Sequence, residues 1–186
     1  MKTFRFQVKD SICSAQLEQL ARTANFFWNF CNPSQEHALR TNQRWPTAFD
    51  LQKLTAGSSK ELGLHSHTIQ LICDQYATRR QQSKKRKLRW RGKRSLGWIP
   101  FKANGIKIVE DTIRYVGHTF RFWKSRELPS VAKCGSFSQD SRKRWSVNLV
   151  CDVEETATMG TQHIGIDLGL KTLATCSDGA KIEAPR

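Results

Sequence analysis

The spacing of the apolar residues changes twice along this chain of 186 residues. Phe4, Phe6 and Val8 alternate with polar residues, which is typical of a strand with one buried face. The apolar residues that follow recur every three or four positions, and beyond residue 105 they alternate again. A first strand on its own leaves its backbone N–H and C=O groups unpaired, so it must join the later strands. The pattern therefore predicts an α+β fold, a small β-barrel or sandwich interrupted by a helical bundle.

The interrupting segment is expected to hold three helices. The first has one apolar face and should end at Pro33, because proline cannot continue a helix. A shorter helix is predicted over residues 47–62, and a third begins near Ser66. The apolar faces of the first and third helices consist of Leu17, Leu20, Ala21, Ala24, Phe27 and Trp28, and of Ile69, Ile72, Cys73 and Tyr76.

Alternating apolar residues after position 105 predict short strands separated by turns. The turns are expected at Glu110-Asp111 and at residues 116–118. Residues 145–153 give the clearest strand pattern, and the polar residues 154–162 are predicted to be a linker. The other alternating pairs are Ile106 and Ile108, Ile113 and Tyr115, and Phe120 and Phe122.

The chain is strongly basic, with 31 Lys and Arg against 16 Asp and Glu and a formal net charge of +15. A balance of this sign indicates nucleic acid as the first class of partner and an anionic membrane surface as the second. No apolar run reaches the roughly 18 residues of a membrane span, so we expect no membrane partner.

The positive charge is concentrated between Arg79 and Arg94, where ten of sixteen residues are Lys or Arg and none is acidic. Without an anionic partner such a run repels itself, so we predict that it binds nucleic acid. If six of its cations contact phosphates, the affinity falls with salt with a log–log slope of about −5. The predicted nucleic-acid-binding residues are Arg79, Arg80, Lys84, Lys85, Arg86, Lys87, Arg89, Trp90, Arg91, Lys93 and Arg94.

Tryptophans in and near this tract offer surfaces on which bases can stack. Trp90, which lies among the cations, is the strongest candidate, and Trp98 and Trp123 are two further ones. Trp28 and Trp145 lie on apolar faces, so we expect them in the core.

Six cysteines are scattered along the chain without a C-x-x-C pair and without zinc-finger spacing to the five histidines. We therefore expect reduced, mostly buried thiols, a cytoplasmic protein and no zinc site in this chain. His65 and His67 are two positions apart, so they do not share a helical face, and we expect them at the surface.

Near the C-terminus, Asp167 lies on an otherwise apolar strand predicted over residues 163–168. A turn at Gly169, a second strand and a hairpin turn at Asp178-Gly179 follow, and residues 180–183 return as a third strand. A carboxylate in apolar surroundings needs a partner, and a divalent cation is a common one. Nucleases of the ribonuclease H type begin in this way, and their aspartate is one of several ligands of two Mg²⁺ ions.

Two other interpretations of this strand stay open. In the first, Asp167 is a buried aspartate held by hydrogen bonds at the end of a strand. In the second, the turn after it holds ATP phosphates, as in sugar kinases, actin and heat-shock chaperones. That motif usually lies near the start of a chain, whereas here more than 160 residues precede it.

The whole chain resembles the TnpB (OrfB) family, proteins of bacterial insertion sequences described as probable transposases and related to type V CRISPR effectors. The stretch from Gly165 to Gly179, followed by Lys181-Ile182-Glu183, looks like the first RuvC motif of that family. The sequence LGWIPFK at 96–102, the sequence RWSV at 144–147 and the Phe-x-Phe opening also look like it.

This resemblance implies an RNA-guided, Mg²⁺-dependent DNA endonuclease in which Asp167 is the first catalytic acid and a metal ligand. An OB-like β-barrel, the wedge domain, would cover residues 1–10 and 95–155. A helical recognition insert would occupy residues 11–94, and the first strands of a RuvC-like domain would occupy residues 161–186.

The family's remaining catalytic acids and its zinc ribbon lie later than position 186, so the resemblance implies a truncated and catalytically incomplete RuvC-like domain. Guide RNA and target DNA are the implied partners, and Mg²⁺ is the cofactor of a complete family member. The chain alone is expected to bind nucleic acid without cutting it. A non-catalytic nucleic-acid-binding module or repressor of the same origin is the alternative, and the sequence does not set the oligomeric state.

Overall fold

The computed structural model describes residues 1–9, 11–84, 88–153, 164–169 and 172–183. These residues form an α+β structure with four α-helices and three antiparallel sheets, which confirms the predicted class. The chain divides into two compact units, Met1–Val153 and Glu154–Arg186. No helix in the described residues is long and apolar enough to cross a membrane.

The helices all lie in the first unit and follow the predicted periodicity closely. They are α1 (Ser11–Arg40), α2 (Ala48–Leu54), α3 (Ser59–Leu62) and α4 (Ser66–Ser83). Every residue predicted for the apolar faces of α1 and α4 is buried. Because α4 packs against both α1 and the sheet, these two faces meet in one core.

The prediction that Pro33 ends the first helix is wrong, because α1 continues through it to Arg40. Proline lacks the N–H that would bond to the carbonyl of Asn29, so the helix loses one internal hydrogen bond there. Asn32, Gln35 and Ala38 on both sides of the proline are nevertheless fully or almost fully buried. Packing against the rest of the unit therefore outweighs the break that the sequence suggests.

The single helix predicted over residues 47–62 is in fact two short helices. Thr47 begins α2 with a capping box, in which its side chain accepts from the Asp50 N–H and Asp50 accepts from the Thr47 N–H. Gly57, with a φ of 88°, lies in the turn that ends the first of them. A left-handed backbone conformation at this position cannot continue a helix, and only glycine adopts it without strain.

Seven strands of the first unit form two sheets. They are β1 (Lys2–Gln7), β2 (Trp98–Lys102), β3 (Lys107–Val109), β4 (Thr112–Tyr115), β5 (His118–Arg121), β6 (Cys134–Gln139) and β7 (Trp145–Cys151). The first strand, β1, pairs with β7, and Phe6 lies opposite Val147. It therefore joins a strand late in the first unit, as the sequence pattern predicts. The four-stranded sheet has the order β1-β7-β6-β2, and the three-stranded sheet has the order β3-β4-β5.

The two sheets meet at one corner but do not close into a barrel within the described residues. A single bridge between Val8 and Phe122 joins β1 to β5. The opposite edge, β2, carries Pro100, which has no N–H to offer a further strand. The Thr68 hydroxyl of α4 donates to the Pro100 carbonyl at 2.7 Å, so a helix covers this edge. The barrel we predicted is therefore an open pair of sheets.

Aromatic rings fill the space between the two sheets. The ring of Phe137 on β6 lies 5.3 Å from that of Phe101, 6.1 Å from that of Tyr115 and 5.1 Å from that of Phe120, measured between ring centroids. All four side chains are fully buried. Aromatic pairs at these distances add stability beyond the area they bury.

The second unit contains β8 (Ile166–Leu168), β9 (Thr172–Cys176) and β10 (Lys181–Glu183), in the order β10-β9-β8. Asp178 and Gly179 form the turn between the last two strands, as predicted, and Gly179 has a φ of 90°. The residues predicted as a linker, 154–162, lie outside the described residues.

Gly135 provides a test of how tightly the central sheet is packed. A Cβ atom there would lie 2.2 Å from the Asn148 carbonyl oxygen and 2.7 Å from the Phe101 ring. We expect Gly135→Ala to lower the free energy of unfolding by about 1–3 kcal/mol, because backbone cannot move aside cheaply. Gly92→Ala is the matched control, since nothing lies within 4 Å of its Cβ position. Denaturant unfolding measures the unfolding free energy of both variants. Equal values for Gly135→Ala and Gly92→Ala would contradict the tight packing at Gly135.

Candidate nucleic-acid interface

Two asparagines of α1 hold the basic segment that follows α4. The Asn29 side-chain amide donates to the Arg91 carbonyl and accepts from the Arg91 N–H, both at 2.8 Å. One turn further on, Asn32 makes the same pair of bonds to Leu88, both at 3.3 Å. We call these four bonds the asparagine ladder. It attaches an irregular segment to a helix much as a neighbouring strand would.

The inner end of this ladder is anchored in the core. The hydroxyl of Tyr76 on α4 donates to the Asn32 side-chain oxygen at 2.7 Å. Burial is the main reason why the pKa of Tyr76 rises to about 12, so the hydroxyl keeps its proton at neutral pH. Asn32 is fully buried and has its amide bonded on both sides. The inner end of the segment is therefore held by two fully buried groups, Asn32 and Tyr76.

Arg91 is the point at which the segment turns inward. Its guanidinium carbon lies 4.1 Å from the centroid of the Trp28 ring and 5.3 Å from that of Trp98. One guanidinium nitrogen also donates to the side-chain oxygen of Asn25 at 3.4 Å. Burial, followed by repulsion from Arg79, lowers the pKa of Arg91 to about 10. Arg91 thus remains charged at neutral pH and attaches the segment to the core.

The remaining cations of the segment face an open groove of about 1,000 Å³ beside it. Arg79 comes from α4, and Arg89, Lys93 and Arg94 come from the segment itself; all four are exposed. No carboxylate is among the described residues that line this groove. We call it the basic groove. Its tryptophans are Trp28, Trp90 and Trp98.

The tryptophans divide broadly as their sequence patterns predict. Trp28 and Trp145 are buried in the core. Trp90 lies in the basic groove with half of its surface exposed, and Trp98 is half-buried beside Arg91. Trp123 is exposed elsewhere, with the Lys9 ammonium 4.9 Å from its ring centroid.

Arg80, predicted to contact nucleic acid, lies instead in the interior with 6% of its surface exposed. Its guanidinium donates to the Gln35 side-chain oxygen and to the Pro46 carbonyl. The reason is helical geometry: Arg80 follows Tyr76 by four positions and so falls on the buried face of α4, whereas Arg79 falls beside it on the exposed face. Lys84 ends the helix and is exposed, and Lys85, Arg86 and Lys87 lie outside the described residues.

The asparagines are the functional residues that the sequence patterns did not identify. Asn25, Asn29 and Asn32 lie four and then three positions apart, on the same side of α1 as its apolar residues. Amides at that spacing on a buried face need partners, because an unsatisfied polar group in the interior is costly. This signal was present in the sequence, but it did not reveal which segment would supply the partners.

Asp167 is exposed on β8, opposite Thr175 of β9. Two positions before it, the Gly165 N–H donates to the Ser177 hydroxyl at 2.9 Å. No cluster of three or more His, Cys, Asp or Glu residues that could hold a metal occurs in the described residues. Mg²⁺ needs several oxygen ligands, and Asp167 supplies only one side chain. The described residues therefore do not make up a complete Mg²⁺ site.

None of the six cysteines, all of which lie in the described residues, forms a disulfide, and Cys13, Cys31, Cys73 and Cys151 are buried. His65 and His67 are only half-buried, with ring centroids 4.8 Å apart, and the His65 ring accepts from the His67 N–H at the start of α4. Both residues thus belong to a helix terminus.

A comparison with models of known protein families and a comparison with curated proteins each found no match. The functional assignment therefore depends on the geometry and chemistry of the chain itself.

The asparagine ladder can be tested on the half-buried Asn29. We expect Asn29→Ala to leave the Arg91 N–H and C=O unpaired and to cost about 1 kcal/mol of unfolding free energy. Hydrogen exchange of the Arg91 amide should accelerate more than exchange in the β-sheet core. Ser34→Ala, on an exposed turn of the same helix, is the control. Unchanged exchange at Arg91 would show that the ladder does not hold the segment.

Proposed function

We propose that this chain binds single-stranded or guide-type RNA together with DNA through the basic groove. The observation that carries this proposal is the groove lining, whose described part has four exposed cations and the exposed Trp90 and contains no carboxylate. Cations supply contacts to phosphates, and exposed aromatic rings supply surfaces for bases. A groove of this kind attracts a polyanion with bases available for stacking.

Preorganisation supports the same function. Arg89, Lys93 and Arg94 would repel one another in a free segment, and holding them along one wall costs free energy. The asparagine ladder and the stacked Arg91 offset this unfavourable free energy within the folded chain. Binding then needs less ordering of the protein, which favours affinity.

We further propose that the chain is the N-terminal part of a TnpB-type, RNA-guided DNA endonuclease, a probable transposase. The motifs from Gly165 to Glu183 support this, as does a first strand that pairs across a helical insert with β7. An OB-like wedge, a recognition insert and the start of a RuvC-like domain would then correspond to the open sheets, the helices and the three-stranded sheet. In a complete protein of that family, Asp167 would hold Mg²⁺ with acids from later segments.

A second candidate is a non-catalytic nucleic-acid-binding module or repressor of the same origin. The solvent-exposed position of Asp167, without clustered acids in the described residues, favours it. Both candidates use the basic groove in the same way. They differ only in whether Asp167 contributes to chemistry.

Charge removal tests the basic groove. The triple variant Arg89→Gln, Lys93→Gln, Arg94→Gln should reduce the slope of log affinity against log salt by about 3, because each lost phosphate contact changes it by about 1. Lys53→Gln, Lys60→Gln, Lys107→Gln is the matched control, which removes three exposed cations outside the groove. Filter binding of a single-stranded RNA between 50 and 300 mM salt gives the slopes. Equal losses in both triple variants would mean that binding is diffuse rather than in the groove.

Asp167→Asn separates chemistry from binding. We expect nucleic-acid affinity within about twofold of the parent chain, because a single exposed carboxylate contributes little to binding. We also expect no Mg²⁺-dependent cleavage of DNA by the parent chain alone. If the parent chain cleaves DNA and Asp167→Asn abolishes that cleavage, the chain contains a working nuclease site. This result would exclude the non-catalytic binding module.

A further inference from the structure

A second cavity, separate from the basic groove, lies where α2 packs on α4. It has a volume of about 760 Å³, within the roughly 300–1,000 Å³ of typical small-ligand pockets. None of its lining residues lines the basic groove. Its functional side chains are Trp45, Thr47, Asp74, Thr78, Arg80 and Lys84.

The wall of this cavity contains an uncompensated buried cation. Both hydrogen-bond acceptors of the Arg80 guanidinium, the Gln35 side-chain oxygen and the Pro46 carbonyl, are neutral. No salt bridge to Arg80 occurs within the described ranges. The Arg80 Nε and the Gln35 Nε2 are buried without a hydrogen-bond acceptor. A buried charge without an anionic partner is unfavourable, so an anion at the cavity would be stabilised.

The same wall carries an aromatic surface. The guanidinium carbon of Arg80 lies 5.4 Å from the centroid of the Trp45 ring, while 36% of the Trp45 surface stays exposed. A planar group could stack on the Trp45 ring from the cavity. The Arg80 guanidinium would then lie on the other side of the indole. Arginine and tryptophan together favour an electron-rich ring system with a linked negative charge.

Hydrogen-bonding groups complete the lining. Asp74 on α4 accepts from the Gln52 side chain at 2.8 Å, which fixes the carboxylate beside the cavity. Such a carboxylate accepts from the exocyclic amino group of a base but repels a phosphate. Lys84, exposed where α4 ends, provides a cation for the phosphate. Asp74 thus suits the base of a nucleotide, and Lys84 suits its phosphate.

We propose that this cavity receives one unstacked nucleotide of a bound single strand. Its base stacks on Trp45, in front of the buried charge of Arg80, and its phosphate lies towards Lys84. The inference rests on the proposed nucleic-acid function and adds a specific base site to it. RNA and DNA both offer this chemistry, so the test includes a strand of each kind.

The experiment uses the full chain and a 12-nucleotide single-stranded RNA with 4-thiouridine at successive positions. Irradiation followed by mass spectrometry should place one crosslink on Trp45, Ala48, Thr78 or Gln81, which line only the cavity, and others on residues 88–94. Trp45→Ala should weaken binding about fivefold or more, because stacking on one base contributes about 1–3 kcal/mol. Trp45→Phe should stay within about twofold of the parent chain, because it keeps an aromatic face. The DNA strand of the same sequence is measured in parallel.

Phe49→Ala is the matched control. Phe49 is an aromatic residue on α2 with 62% of its surface exposed and lies outside the cavity, so its loss should leave the affinity unchanged. Thr78→Trp fills the cavity while keeping the Trp45 side chain, and it should cause the same loss of affinity as Trp45→Ala. Thermal melting of each variant shows whether the fold is intact.

The outcomes separate the two proposals. If the parent chain binds RNA while Trp45→Ala and Thr78→Trp bind equally well, the base site is overturned and the basic groove stands. If the parent chain binds neither strand, the proposed function fails and the base site fails with it. Loss in both variants with RNA alone assigns the cavity to RNA, and loss with both strands assigns it to any single strand.

Discussion

The asparagine ladder is the interaction on which the rest of the candidate site depends. A segment rich in cations of one sign repels itself, and Leu88 and Trp90 are too few to form a core of its own. Asn29 and Asn32 supply a partner for its backbone from the side of α1 that also carries the buried apolar residues. The ladder thereby converts a charged loop into one wall of a groove, and it leaves the side chains of Arg89, Lys93 and Arg94 facing outward.

The cations of this tract divide into two physical classes. Arg80 and Arg91 are placed against aromatic rings, where burial lowers the pKa of each guanidinium and neutral acceptors satisfy part of its hydrogen bonding. Arginine tolerates such positions because its planar, weakly hydrated group stacks well and keeps its proton. The exposed cations are those to which we assign the proposed attraction for a polyanion. Buried and exposed cations therefore alternate along one run of sequence.

The helices and the open sheets share one core, so the groove has a rigid base. The Thr68 hydroxyl of α4 contacts the Tyr115 hydroxyl of β4 at 2.6 Å and also donates to the Pro100 carbonyl of β2. These buried bonds connect the helical segment to both sheets at one point. Because a buried polar group must find a partner, they specify the relative position of α4 and the sheets more narrowly than apolar packing alone would.

The sequence by itself determined the local elements, since the spacing of apolar residues is a property of neighbours: the faces of α1 and α4, strand β7 and the hairpin turn at Gly179 follow from it. Strands β2 and β6 were not predicted, because their burial depends on partners far away in the chain. The tertiary structure alone decided that α1 passes through Pro33 and that the sheets stay open beside Pro100. It also decided that the face of α4 with Tyr76 packs against α1, so that Arg80 points inward and Arg79 outward. The reason is that helical geometry fixes which residues share a face, whereas contacts with distant segments decide whether a charged residue at the end of that face is buried.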